Sequence, residues 1–210
     1  MLRIRPYTMA DLAGLLVIQR ECFPPPFPPE LWWQPEQIAS HVRVFPSGAL
    51  CAEDDGELVA SATAHILRWD PRGPDHTWSA ASDHGFLRNH DPRGNTLYGV
   101  DVAVRPAWRG HGVARALYQA RFALVRTLGL ERFLAGSRLS GYRAQHRHMS
   151  PEQYADAVVR GELDDPVITP QLRAGLHPLR VVRDYLPDEE SCDHALLMEW
   201  RNPDLASGVS

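Results

Sequence analysis

Lysine is absent from this chain: every one of its 22 basic residues is arginine. A phosphate-binding loop ending in Gly-Lys-Ser or Gly-Lys-Thr is therefore excluded. Schiff-base and general-base chemistry on a lysine are excluded with it. Long apolar runs are missing too, and none reaches the roughly 18 residues a membrane span needs. The first residues, Met1 to Pro6, carry no apolar targeting segment, which predicts a cytoplasmic protein with no membrane partner. No block of basic charge stands out and the net charge is -4, so no nucleic-acid partner is expected. Cysteine is scarce: Cys22, Cys51 and Cys192 are odd in number and far apart, and they read as buried thiols rather than a disulfide framework. His146 and His148 have no third ligand at a familiar spacing, so no metal is expected.

What remains is a chain of 210 residues, 44% hydrophobic, enough for one substantial core. Arg3 to Pro6 reads as a strand. Thr8 and Asp11 form a capping arrangement before a helix that runs to about Glu21, and the prolines between Pro24 and Pro29 stop it. A second helix is predicted over Pro35 to Phe45. Ala49 to Glu53 and Leu58 to Leu67 are strands joined by Asp54-Asp55-Gly56, a tight-turn signal. Asp70 to Asn95 reads as a long polar loop, which in a compact domain usually has a task. Leu97 to Val104 is the clearest strand and Gly112 to Leu128 the clearest helix, with Val113, Leu117, Ala120, Leu124 and Leu128 as its apolar stripe. A strand over Arg132 to Gly136 follows, then a helix capped by Ser150 and Gln153 and a short helix from Thr169-Pro170 to Gly175. Strands over Arg180 to Tyr185 and His194 to Trp200 close the pattern. The expectation is one mixed α/β domain over residues 1–202, a sheet of about seven strands with helices on both faces. Residues 203–210 read as a tail.

The run from Tyr98 to Tyr118 carries the chemistry. A strand meets Arg105-Pro106-Ala107-Trp108, then Arg109-Gly110-His111-Gly112-Val113-Ala114, then an amphipathic helix. Backbone N–H groups in the first turn of a helix are unpaired and bear partial positive charge, so they can hold a diphosphate. Gly110 and Gly112 allow close backbone approach, and Arg109 and Arg115 add charge. A dinucleotide fingerprint wants a third small residue where Arg115 stands. Arg109, Gly112 and Ala114 instead satisfy the pattern Arg/Gln-x-x-Gly-x-Gly/Ala.

In that motif, and in its order of elements from Arg3 to Trp200, the chain resembles the GNAT superfamily of acetyl-CoA-dependent N-acetyltransferases. The resemblance implies a GNAT fold with residues 70–95 and 138–165 as insertions. It implies acetyl-CoA as cosubstrate, with its diphosphate on the amides around Arg109, Gly110, His111, Gly112, Val113, Ala114 and Arg115. Its pantetheine arm would lie along Val102, Ala103 and Val104. Arg138 to Tyr142, Met149 to Tyr154, Asp165-Pro166-Val167 with Gln171-Leu172, and Asp184 to Asp188 resemble a subgroup found alone or fused to nitrilase-like carbon–nitrogen hydrolases. The implied reaction is direct attack of a primary amine, on a small molecule or peptide, on the thioester. The alternatives are a catalytically idle acyl-CoA sensor and a transferase of a longer acyl group. A homodimer stays open.

Asp101 is the first candidate for the general base, because it shares one face of its strand with Leu97, Gly99 and Ala103. Many members carry, as general acid, a tyrosine four residues before the glycine that ends the late helix. Here that glycine is Gly175 and the position holds Gln171, which has no phenol proton, so Tyr142 is the candidate acid. Trp78, His90 and Asp91 in the long loop are candidate acceptor contacts.

Overall fold

A computed structural model describes residues 1–206. The seven strands are β1 (Arg3–Pro6), β2 (Ala49–Asp54), β3 (Glu57–Leu67), β4 (Thr96–Val104), β5 (Arg132–Arg138), β6 (His177–Val182) and β7 (Ala195–Arg201). They form one sheet in the order β1-β2-β3-β4-β5-β7-β6, antiparallel throughout except for the parallel pair β4 and β5. The helices are α1 (Leu12–Cys22), α2 (Pro35–Val44), α3 (Trp78–Ser82), α4 (Val113–Thr127), α5 (Pro151–Val159), α6 (Ile168–Ala174) and α7 (Pro203–Ala206). None of the described helices is long and apolar enough to cross a membrane.

Side chains alternate across a strand, so neighbouring residues feed two cores. Tyr98 and Leu134 pack with Leu15, Ile38 and Ala81, which places α1, α2 and α3 on one face. Leu97 and Phe133 pack with Phe122, Tyr154 and Ile168, which places α4, α5 and α6 on the other. The expected caps are present: Thr8 with Asp11, and Ser150 with Gln153. The β2–β3 turn has Asp55 and Gly56 at φ 49° and 86°, the left-handed pair of a tight hairpin.

Four expectations need correcting. The long loop contains α3, capped by the Thr77 hydroxyl accepting from Ala80 N; five residues are too few for helical periodicity to register. The buried face of α4 is Val113, Leu117, Tyr118, Arg121, Phe122 and Val125, while Leu128 is 42% exposed; the apolar stripe is rotated, because an arginine lies within it. The penultimate strand begins at His177 and stops at Val182, since the chain turns at Asp184, which sits at φ 52°. Pro203–Ala206 makes a helical turn, and the rest of the expected tail, 207–210, lies outside the described residues.

Two irregularities position the site. The parallel ladder between β4 and β5 extends only from Thr96↔Arg132 to Gly99↔Ala135. Beyond it β4 pairs with β3 alone and β5 with β7 alone, so a gap opens in the middle of the sheet. At the same level Thr63 faces Asp101 while Ala64 faces Gly99, which leaves Val100 as the extra residue of a β-bulge. A bulge reverses the alternation. Asp101 therefore does not share a face with Leu97 and Gly99, as strict alternation predicts; it turns toward α1 and α2.

Candidate active site

The loop before α4 is shaped as an anion cradle. Gly110 and Gly112 sit at φ 78° and 80°, values disfavoured for residues with a Cβ. A Cβ placed on either would meet no atom within 4 Å, so the space beside both is free. The backbone N–H groups of Gly110, His111, Gly112, Val113, Ala114 and Arg115 have no hydrogen-bond partner among the described residues. Gly112 caps α4 without a side-chain bond, so the positive end of the helix stays open. Arg109 donates through Nε to Val104 O at 3.1 Å and His111 Nδ1 bonds Arg109 O at 2.8 Å, which shape the loop. Arg115 is exposed beside it. Val102, Ala103 and Val104 bond β3 on one side and border the gap on the other.

A cavity of about 110 Å³ passes through that gap. On the α1–α2 face it is bounded by Phe23, Phe27, Leu31, Trp33, Trp78 and Leu186; on the α4–α6 face by Tyr118, Arg121 and Gln171; and between them by Asp101, Gly136 and Tyr185. Trp78 lines this cavity, and its Nε1 donates to Val100 O at 3.0 Å, capping a carbonyl that the bulge leaves without a strand partner.

Asp101 is the anchored anion of the cavity. Its Oδ1 accepts from Thr63 N at 2.9 Å, and its Oδ2 accepts from Trp33 Nε1 at 3.0 Å and Gln19 Nε2 at 3.2 Å. Three donors, from α1, β3 and the segment before α2, fix the carboxylate and leave part of its accepting capacity unused. Behind it Arg121, 2% exposed, donates through Nη2 to Thr63 O at 2.9 Å and to Asp101 O. Its guanidinium lies over Tyr118 and Phe133, and its Nε has no partner. Burial lowers its pKa, against the opposing pull of Tyr118 and Asp101.

Gln171 is 3% exposed and accepts from the Ser137 hydroxyl. Burial raises the pKa of the nearby Tyr118 phenol, against a lowering influence of Gln171, so this phenol keeps its proton at neutral pH. Tyr142 lies elsewhere. Its hydroxyl donates to Met149 O at 3.0 Å, its ring packs on Tyr154 and His194, and it does not line the cavity. His90 and Asp91 also stand apart: His90 Nδ1 accepts from Ile66 N at 3.1 Å and the ring stacks on Phe45, while Asp91 Oδ1 accepts from Arg93 N. Both fasten the loop to the end of β3.

Gln19, Arg121, Tyr118, Ser137 and Tyr185 are cleft residues that sequence reasoning did not single out, whereas Trp33, beside the proline run, was open to covering the cleft or simply packing. Arg121 had a signal, an arginine four residues after Leu117 and four before Val125 on the buried face. Gln19 had none, since only the packing of α1 on the bulge brings it to Asp101.

The model of the acetyltransferase (GNAT) family matches residues 12–149. The chain is 46% identical over 201 residues to the uncharacterized N-acetyltransferase YkwB of Bacillus subtilis, covering 96% of this chain and 89% of that protein. It is 35% identical over 202 residues to the probable hydrolase YhcX of the same bacterium, covering 96% of this chain and 39% of that one. Among solved structures, the GphF GNAT-like decarboxylase in complex with isobutyryl-CoA superposes with a TM-score of 0.78 at 23% identity, over 95% of this chain and 99% of that chain. That likeness shows a shared fold.

Proposed function

The chain belongs to the GNAT family of acetyltransferases, and we propose that its cleft transfers acetyl from acetyl-CoA to a primary amine by direct attack of the amine on the thioester. One observation carries the reading: a row of unpartnered N–H groups with open space beside it, at the start of α4, adjoins a gap in the sheet that leads to a fixed carboxylate. The loop from Arg109 to Arg115 holds the diphosphate, and the free edge of β4 at Val102, Ala103 and Val104 holds the pantetheine amides. Acetyl-CoA supplies the activated carbonyl and a good leaving group; the protein's residues do the rest.

Asp101 holds the amine in place and takes its proton as attack proceeds. Tyr118, kept protonated by burial, gives its phenol proton to the departing thiolate. Arg121 fixes the backbone of Asp101 from behind. Phe23, Phe27, Leu31, Trp33 and Trp78 line the acceptor end. The two cationic side chains that reach the cavity are engaged: Arg121 with backbone oxygens, and Arg138 with Asp188 at 2.7 Å. This lining fits an amine with an apolar aryl or branched-alkyl body better than one bearing a carboxylate. We also propose that the chain belongs to the subgroup found alone or fused to nitrilase-like carbon–nitrogen hydrolases, on the strength of the segments Arg138 to Tyr142, Met149 to Tyr154, Asp165 to Val167 with Gln171-Leu172, and Asp184 to Asp188.

Release of free CoA thiol from acetyl-CoA across a panel of amines tests the proposal. Turnover is expected with aryl-alkyl and branched-alkyl amines and weakest with amino acids. Tight CoA binding with no thiol release from any amine would overturn the transferase reading.

A further inference from the structure

Acetyl transfer to an ammonium releases one net proton, and the acceptor end of the cleft that we assign to this reaction is lined by the aromatic side chains of Phe23, Phe27, Trp33 and Trp78. A chain of hydrogen bonds leads out of it. Tyr185 borders the cavity beside Gly136, and its hydroxyl lies so close that a Cβ on Gly136 would fall 2.4 Å from it. Tyr185 Oη bonds Tyr98 Oη at 2.7 Å, and Tyr98 Oη bonds His76 Nε2 at 2.9 Å. Tyr98 and Tyr185 are 0% and 2% exposed, whereas His76 is half-buried, in a segment whose flanking residues are exposed. The chain thus has one end in the cleft, a sealed middle and one end at solvent. From this geometry we infer that Tyr185, Tyr98 and His76 form a proton outlet from the acceptor site to bulk water.

The outlet balances without a net change in the protein. The acceptor ammonium gives a proton to Tyr185 Oη, and Tyr185 passes its own to Tyr98 Oη. Tyr98 passes its own to His76 Nε2, and the resulting imidazolium loses the Nδ1 proton to water. The four O–H and N–H bonds that break are matched by four that form, and the chain resets when the hydroxyls reorient and the imidazole returns from its Nε2–H to its Nδ1–H tautomer by proton exchange with water. The neutral amine then attacks, and the proton it loses to Asp101 is matched by the one the CoA thiolate gains. The surroundings suit this task. Burial raises the pKa of both phenols, so neither stalls as a phenolate. Burial and nearby Arg180 lower that of His76, against Asp75, so an imidazolium there gives up its proton readily. Arg180 Nε is bonded to Asp75 at 2.7 Å, which ties the His76 segment to β6. His65 also faces the chain, edge-on to Tyr98 at 6.4 Å. Tyr98, Tyr185 and His76 are positioning or proton-carrying residues outside the diphosphate loop.

Tyr98→Phe keeps the ring and cuts the relay. With the relay intact, the bound ammonium is productive and kcat/KM for the amine is nearly flat between pH 6.5 and 8.5. In Tyr98→Phe only amine that is already neutral in solution reacts. Its kcat/KM should fall at least about tenfold at pH 7 and climb about tenfold per pH unit toward the amine's own pKa, with calorimetric CoA affinity unchanged within about twofold. His76→Ala, at the half-buried end, should behave alike and recover with millimolar imidazole, and in nitrogen NMR the His76 signal of Tyr98→Phe should move from its wild-type position. The proposal rests on the transferase reading, and the two fail differently. Wild-type turnover with unchanged pH profiles in Tyr98→Phe and His76→Ala overturns the outlet alone. CoA binding without turnover in the wild type overturns the transferase reading and the outlet with it.

Discussion

The indole N–H of Trp33 donates to Asp101 Oδ2 at 3.0 Å, across 68 positions of sequence. That bond and the one from Gln19 fasten the carboxylate at the bulge to α1 and to the segment leading into α2, so the geometry of the acceptor site depends on how these pack. Trp33→Phe keeps an aromatic ring and removes one of three donors. It should cost about 1 kcal/mol of stability and lower turnover about tenfold, with CoA affinity unchanged. Thermal melting, steady-state kinetics and calorimetry measure the three quantities. A variant with full turnover would separate Asp101 from the chemistry.

Gly112→Val tests the cradle. A β-branched residue at φ 80° costs on the order of 1–2 kcal/mol, and its side chain would occupy the space assigned to the diphosphate. CoA affinity should drop at least tenfold while the melting temperature falls by only a few degrees, because the loop is exposed. Wild-type affinity in the folded variant would place the diphosphate elsewhere.

Tyr118→Phe and Tyr142→Phe form a contrasting pair. The first removes the phenol at the cavity and should reduce kcat by about a hundredfold with little change in the KM for acetyl-CoA. The second removes only a bond to Met149 O and should leave kcat within about twofold. The opposite ranking would return the acid role to the inserted segment.

Stability should fall in mild acid. His65 is 0% exposed, its Nε2 donates to Ala81 O at 2.9 Å, and its Nδ1 has no partner. Burial pulls its pKa down to about 4, and His41 is lowered for the same reason. Between that value and the ordinary histidine pKa near 6.5 the unfolded chain binds more protons, so stability rises with pH. The contribution is complete above about pH 6.5 and is lost as pH falls toward 4, to a total of about 3 kcal/mol for His65. Denaturant titrations from pH 4.5 to 7.5 should show this slope, and His65→Gln should flatten it. Equal slopes in both proteins would mean that His65 is not held neutral.

Much of this was legible before the structure. The glycine spacing after Arg105-Pro106 marked the cradle, and proline, capping residues and the Asp55-Gly56 turn marked most element ends, because each acts through local backbone chemistry. The cleft interior was less legible. Asp101 stood out as a charge in an apolar strand, but its orientation depends on the extra residue at Val100, which strict alternation cannot anticipate. Tyr142 lies just after β5, where the strand has parted from β4, and its ring packs away into the inserted segment. Tyr118 looks like an ordinary helix residue until α4 is seen to bury the face that carries it. Gln19 reaches Asp101 only through tertiary packing.

The crystal structure of the CoA complex tests the central claim most directly. The diphosphate oxygens should accept from the N–H groups between Gly110 and Arg115, the pantetheine amides should pair with the edge of β4 at Val102 to Val104, and the sulfur should lie between Asp101 and Tyr118. A diphosphate bound away from this loop, or a thiol end outside the β4–β5 gap, would contradict the account.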